Sequence, residues 1–313
     1  MKDLVVLSLF DGMGGGRIAL DKLGITPKKY FASEIKSHAI KCATTNYPDI
    51  IEIGDVTKVK YEYNKLYNDK GEVVYEGHID LLIGGSPCQD FSIANLQNKK
   101  NDSYLTYGLK GSKSKLFYEY LRLKKEVEPT YFLLENVHMR ESSERQLNSY
   151  LGVKGLHINS NLVSYQDRKR IYWTNIPNIT QPHDRNVYIE DILQTDIKHK
   201  YLPKTRNDYT NYDKNKVDKT KHKYTVTQIG NSKNFGNAIR NNGKAFTLRR
   251  CNPNGIIDEN WNIRKFTPIE CERLQTLPDN YTEGLTDRQR YEVIGNGWTI
   301  DVISHIFSFI PQE

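Results

Sequence analysis

The residues best suited to chemistry stand where short apolar runs end. Ile79-Asp80-Leu81-Leu82-Ile83 leads into Gly84-Gly85-Ser86-Pro87-Cys88-Gln89-Asp90-Phe91-Ser92. A cysteine on a loop braced by glycine and proline, at the carboxyl end of a central strand, faces the ligand crevice of an open α/β sheet. Its thiolate can act as a nucleophile where nearby positive groups or dipoles favour it. The alternative is a buried, inert thiol, as most free cysteines are. A second run, Tyr131-Phe132-Leu133-Leu134-Glu135, continues into Asn136-Val137. Glu135 is expected to be partly desolvated there, which favours the neutral acid and suits a group that donates to a ring nitrogen. A glutamate at a strand end can equally be structural.

Three further strand ends carry a different signal. Leu4-Val5-Val6-Leu7-Ser8-Leu9-Phe10 is followed by Asp11-Gly12-Met13-Gly14-Gly15-Gly16 and a helical pattern. A strand, a glycine-rich turn and a helix let backbone N–H groups approach a ligand closely. The glycine spacing is not the dinucleotide fingerprint, and alone it also fits a plain tight turn. Glu34, 24 residues beyond Phe10, ends Tyr30-Phe31-Ala32-Ser33, where an acidic residue meets ribose hydroxyls in open α/β folds. Asp55 ends Ile50-Ile51-Glu52-Ile53-Gly54, where a carboxylate can accept an amino proton from adenine. Together they describe an adenosine pocket without a phosphate grip, which suits S-adenosylmethionine better than a dinucleotide.

The elements that must position these residues are short apolar strands alternating with helices. Leu116, Phe117, Tyr120, Leu121 and Leu123 follow the helical period between the last two runs. That alternation predicts an α/β fold with a doubly wound, Rossmann-like parallel sheet covered on both faces. From about 180 to 262 the texture becomes rich in Asn, Lys, Tyr and Thr, with Tyr224-Thr225-Val226-Thr227 as a strand candidate; a small loop-rich domain fits better than a linker. Thr267-Pro268-Ile269-Glu270 then reads as a capped helix start. Ile300 to Phe307 closes the chain as an apolar helix.

Composition narrows the class. Of 313 residues, 37% are apolar and 27% charged, enough for a core, so disorder throughout is excluded. No run approaches the ~18 apolar residues of a membrane span. Met1-Lys2-Asp3-Leu4 does not read as a signal peptide. Cys42, Cys88, Cys251 and Cys271 form no disulfide or C-x-x-C framework, so a reduced, cytoplasmic protein is expected. The net charge of +7 is local: residues 198–250 hold 14 Lys or Arg against 3 Asp, a balance of +11 that leaves −4 elsewhere.

The order of the motifs resembles the DNA (cytosine-5) methyltransferase family along essentially the whole chain. The matching pieces are Phe10-Asp11-Gly12-Met13-Gly14-Gly15, Glu34, Asp55, Ser86-Pro87-Cys88-Gln89, Glu135-Asn136-Val137 and Gln166-Asp167-Arg168-Lys169-Arg170, followed by Arg264 to Gln275 and Gly295-Asn296-Gly297-Trp298. Ser8-Leu9-Phe10-Asp11-Gly12, Leu116-Phe117-Tyr118-Glu119-Tyr120 and Trp298 are especially similar to the catalytic domains of the animal de novo enzymes; bacterial and phage enzymes share the core.

The resemblance implies a mechanism and a division of labour. Cys88 would add to C6 of a cytosine flipped from double-stranded DNA. Glu135 would hold or protonate N3, with Asn136 bracing it, and Arg168 and Arg170 would meet the O2 side. Phe10, Asp11, Gly12, Gly14, Gly15, Glu34, Asp55 and Val56 would bind S-adenosylmethionine, joined by Asn296 and Trp298. Gly297-Trp298 departs from the small residue and valine usual in bacterial enzymes, and Trp298 also fits core packing. The stretch from Asp90 to Lys115 matches the loop that closes over the base, and Gln89, Ser92 and Lys113 are expected at DNA. A catalytic domain of 1–177 completed by 285–313 would carry a target-recognition domain of 178–284, bridged by a helical segment at 264–279. Arg249 and Arg250 are its candidate readers.

No metal and no membrane are expected; a restriction endonuclease encoded nearby is a candidate partner, and the chain would be a monomer or homodimer. The cell would be bacterial or phage-infected. Two alternatives share these motifs, a tRNA cytosine-5 methyltransferase and a catalytically silent DNA-binding homologue. Retention of Cys88, Glu135 and both arginines favours the active enzyme.

Overall fold

The structure is a computed structural model, and it describes residues 3–86, 115–195, 197, 201, 216–218, 220–228, 239–250 and 254–311. The chain divides into two compact units. The first comprises 1–158, 169–181 and 303–313; the second comprises 159–168 and 182–302.

In the first unit, β1 (Val5–Leu9), β2 (Lys29–Ser33) and β3 (Ile50–Glu52) alternate with α1 (Gly15–Asp21) and α2 (Ser37–Asn46). An antiparallel three-stranded sheet follows, made of β4 (Lys60–Glu62), β5 (Lys65–Tyr67) and β6 (Val73–Glu76). Then come β7 (Leu81–Gly84), α3 (Lys115–Val127), β8 (Tyr131–Val137), α4 (Glu141–Leu151) and β9 (Leu156–Asn159). After β10 (Gln166–Asp167), which belongs to the second unit, β11 (Lys169–Thr174) completes a seven-stranded sheet of order β3-β2-β1-β7-β8-β11-β9. All five residues of β1 are buried, as a central strand covered on both faces requires. Phe117, Tyr120, Leu123 and Val127 are the buried stripe of α3 and meet Leu7, Leu82 and Leu134 in one core.

Register sets the working edge of this sheet. Leu9 lies opposite Ser33 of β2 and Gly84 of β7, and Gly84 lies opposite Leu134 of β8. Phe10, Glu34 and Gly85 therefore leave the sheet at one end, and Glu135, still within β8, lies level with them. The strand order reverses between β2 and β7 around β1, the switch point where open α/β sheets bind ligands. β11 runs antiparallel to β8, an exception to the expected all-parallel sheet.

The second unit holds β12 (Thr225–Gln228), β13 (Ile239–Arg240), β14 (Ala245–Phe246), β15 (Asn254–Ile257) and β16 (Ile263–Lys265), then α5 (Pro268–Leu274) and α6 (Asp287–Asn296). Strands β13-β12-β15-β16 form an antiparallel sheet, and β10 pairs with β14. The capping box at α5 is present: Thr267 Oγ1 accepts from Glu270 N, and Glu270 Oε2 accepts from Thr267 N. Buried ion pairs stand beside an apolar core that includes Val226, Ile256, Phe266, Leu274 and Ile294. Arg264 pairs with Glu270 at 2.7 Å and Arg290 with Glu272 at 2.8 Å, and both carboxylates are fully buried. Lys244 Nζ donates to the carbonyls of Asn161, Ser164 and Val187.

Further hydrogen bonds tie chain segments into the second unit. Ser164 Oγ and Gln166 Nε2 both donate to Leu274 O, so 159–168 folds with the second unit. Gln275 Nε2 donates to Ile294 O and Gly297 O, so α6 stays there too. The chain returns to the first unit at Ile303, within the terminal helix α7 (Ile300–Phe307).

Candidate active site

The turn after β1 is built around a carboxylate. Asp11 Oδ1 accepts from Ser8 Oγ at 2.5 Å and from Tyr30 Oη at 2.7 Å. Burial pushes the Asp11 carboxyl up to about 6 against these hydrogen bonds, which lower it. Phe10 takes φ +57°, a region bulky residues seldom adopt, and Gly14 takes φ +82° ahead of α1, as a residue without Cβ can. Gly12 N donates to Glu34 Oε2 at 3.0 Å, while Glu34 Oε1 accepts from Ile35 N and Lys36 N at 2.8 and 3.0 Å. Glu34 thus ties the ends of β1 and β2 together.

Beyond β3, Asp55 Oδ1 accepts from Thr57 N and Oγ1, both at 2.9 Å. Val56 buries its side chain in the core. Glu52 completes an acidic group that sequence patterning does not reveal. Burial raises its carboxyl to about 8, with the charges of Asp11 and Glu34 adding to the effect. Asp11 Oδ2 and Glu52 Oε2 are shielded and, among the described residues, accept no hydrogen bond. Such acceptors fit a ligand carrying cationic and hydroxyl groups, as S-adenosylmethionine does. Ile35 is 73% exposed immediately after Glu34, an apolar surface beside polar anchors. Its position directly after Glu34 was the available sequence signal; for Glu52 it was a carboxylate inside an isoleucine-rich strand.

At the next strand ends, Glu135 and Arg170 form an ion pair, Nε to Oε1 at 2.9 Å, each side chain 12% exposed. Glu135 is thus largely shielded from water, and a guanidinium faces it. Asn136 follows Glu135 in β8 and is buried. Its Nδ2 donates to Ser86 Oγ at 3.2 Å and its Oδ1 accepts from Val137 N, so it steadies the end of β7. Cys88, Gln89, Ser92 and Lys113 lie outside the described residues, as does most of the expected closing loop.

Arg168 belongs to the second unit and is spent on carbonyls. It is 3% exposed, with Nη1 donating to Leu248 O at 3.0 Å and Nη2 to Gly297 O at 2.9 Å. These bonds hold the guanidinium against the carbonyls of Leu248 and of the turn after α6. Asn296 is exposed and Trp298 half-buried, so Trp298 is not plain core. Arg249 and Arg250 are both exposed. Among the described residues no cluster of His, Cys, Asp and Glu could hold a metal ion, and no helix is long and apolar enough to cross a membrane.

Comparison with known proteins bears on this geometry. The family described as C-5 cytosine-specific DNA methylase matches residues 4–312. The type II methyltransferase M1.ScrFI of Lactococcus lactis subsp. cremoris is 30% identical over 96% of this chain and 76% of its own. The type II methyltransferase M.HhaI of Haemophilus parahaemolyticus is 26% identical over 96% and 92%. The Entamoeba histolytica methyltransferase EhMeth shares the fold, with a TM-score of 0.69 at 16% identity over 99% of this chain and 98% of its own. With the sheet, its switch point and the Glu135–Arg170 pair in place, the chain belongs to the C-5 cytosine-specific DNA methylase family and is a DNA cytosine-5 methyltransferase.

Proposed function

We propose that the protein methylates C5 of a cytosine flipped out of double-stranded DNA, through a covalent adduct of Cys88 with C6. The observation that carries this reading is the shared sheet edge. Register brings the acidic groups that follow β1 to β3 to the same end of the sheet as Glu135 of β8 and Arg170, which stands at the start of the antiparallel β11.

Phe10, Asp11, Gly12, Glu34 and Asp55 would hold S-adenosylmethionine. Bound there, it would supply a sulfonium methyl, an electrophile whose bond to sulfur breaks as the C5–methyl bond forms, with the neutral thioether as leaving group. The residues of the chain make that carbon nucleophilic. Cys88 adds as thiolate to C6, and the ring's electrons shift toward N3 and C5. Glu135 holds the N3 edge, and Arg170 fixes the Glu135 carboxylate and supplies positive charge as the adduct forms. Loss of the C5 proton and departure of the Cys88 thiolate from C6 then restore the aromatic ring. Asn136, through Ser86, steadies the strand end that carries Cys88. The base is reached only outside the helix, where its faces are free. Arg249, Arg250 and the basic residues around them would supply phosphate contacts.

The test is bisulfite sequencing of duplex DNA incubated with the protein and S-adenosylmethionine. Protected cytosines at one recurrent sequence are expected from the wild type and none from Cys88→Ser. Full conversion with both proteins would overturn the reading.

A further inference from the structure

The small sheet β4–β6 reaches back to the loop that follows β3. Its β5–β6 connection is Asn68-Asp69-Lys70-Gly71-Glu72, a turn held by Asn68 Oδ1, which accepts from Lys70 N at 3.0 Å and Glu72 N at 2.9 Å. Gly71 follows in the left-handed region at φ +81°, as this turn chemistry requires. The turn presents Asp69 toward Gly54-Asp55. Asp69 N donates to Ile53 O at 3.0 Å, and Asp69 Oδ2 accepts from Asp55 N at 3.2 Å.

Gly54 records how close this approach is. It adopts φ +82°, and a Cβ there would stand 2.1 Å from Asp69 Oδ2. The Asp69 carboxylate thus occupies the space a side chain would take. From the neighbouring strand, Ser33 Oγ donates to Gly54 O at 2.6 Å. On the far side of the same loop, Arg122 of α3 donates through Nη2 to Val56 O at 3.0 Å and Val59 O at 2.9 Å. Arg122 is itself held by Glu119 and Glu126 at 2.8 Å. The loop carrying Asp55 is therefore clamped from both ends by charged side chains that do not belong to it.

We propose that Asp69 is a positioning residue for recognition of the adenine ring: by fixing the backbone of Gly54-Asp55, it aims the free oxygen of Asp55 at the 6-amino group of the methyl donor. This rests on the reading of the β1–β3 edge as the cofactor cradle, and it assigns a function to an antiparallel sheet that contributes no strand to the central one. Fixing Asp55 in advance removes ordering cost from binding, and the gain falls on the one contact that distinguishes an amino from an oxo group.

The test measures equilibrium binding of S-adenosylhomocysteine and of S-inosylhomocysteine, which carries a 6-oxo group, to the full-length protein by calorimetry. Wild type should prefer the adenosyl ligand. Asp69→Ala should weaken that ligand about tenfold, the scale of one well-placed hydrogen bond, and the inosyl ligand less than about twofold. Asp69→Asn, which keeps an acceptor for Asp55 N, should retain most of the preference. Equal weakening of both ligands by Asp69→Ala, or no weakening of either, would overturn the proposal. So would an Asn variant as impaired as the Ala variant. If Asp69→Ala does not fold, Asp69→Ser is read by the same criteria. If the wild type binds neither ligand, the cradle reading itself fails, a result distinct from a cradle that binds without depending on Asp69.

Discussion

Arg170 reaches diagonally across the antiparallel strands β8 and β11 to Glu135: its backbone lies opposite Val137, yet its Nε stands 2.9 Å from Glu135 Oε1. Val137 and Glu135 share one face of β8, so the pair is set by sheet geometry before any ligand arrives. Each partner is largely shielded from water, where an unpartnered charge is costly. Glu135→Gln and Arg170→Ala should each lower kcat by roughly 10²- to 10⁴-fold, the range for a positioned acid or base. The double variant should be little worse than either single one, because the two act as a unit. Additive losses in steady-state kinetics would show that Arg170 acts independently of Glu135.

The second unit should depend on Lys244. Its ammonium satisfies three backbone carbonyls from two separate chain segments and lies 5.4 Å from the centre of the Tyr188 ring. Lys244→Ala leaves those carbonyls short of a donor and should lower unfolding stability by about 3 kcal/mol. Urea denaturation followed by a probe in the second unit checks this. An unchanged midpoint would mean water replaces the ammonium without loss.

How much of this was readable beforehand differs by element. The buried strands β1, β2, β7 and β8 are continuous apolar runs, and the residues ending them fell where the sequence patterns indicated. α5 announced itself through Thr267, Pro268 and Glu270. The β4–β6 sheet leaves little mark in the sequence because its strands are short, carry charged residues and bury only Tyr61 and Leu66 fully, so no apolar period marks them. The fate of Arg168 was equally hidden. Two arginines two residues apart look alike in sequence, yet Arg170 pairs with Glu135 while Arg168 is drawn to carbonyls around Gly297, 129 residues away. Only the tertiary fold reveals which long-range acceptors are unsatisfied.

Stability should fall as pH rises from about 5 to about 8. The Glu52 carboxyl is raised to about 8 in the folded protein from an ordinary 4.5, and Asp11 to about 6 from 3.8. A carboxyl raised by folding contributes fully below its unfolded value and loses that contribution as pH climbs through the folded one. Tm should therefore decline between about pH 5 and 8, and Glu52→Gln, neutral throughout, should flatten the decline. An identical slope in wild type and variant would contradict the role of Glu52.

Affinity for duplex DNA should fall steeply with salt. The +11 balance of residues 198–250 stands against −4 elsewhere, so counterion release should come from that stretch. Replacing Arg249 and Arg250 together by alanine should reduce the slope of log K against log salt by up to about 2, since each phosphate contact contributes about 0.9 on B-DNA. Fluorescence anisotropy across a salt series checks this, and an unchanged slope would remove both residues from the interface.

A covalent route through Cys88 leaves an intermediate that a mechanism-based inhibitor can trap. Duplexes containing 5-fluorocytosine at the methylated position cannot lose a proton from C5, so an adduct at C6 should persist once the methyl has been transferred. With S-adenosylmethionine present, wild-type protein should form a denaturation-resistant protein–DNA complex, and peptide mapping should place the link at Cys88. Cys88→Ser should form none. A wild-type enzyme that methylates cytosine but leaves no trapped complex, or a link at any other residue, would contradict the account.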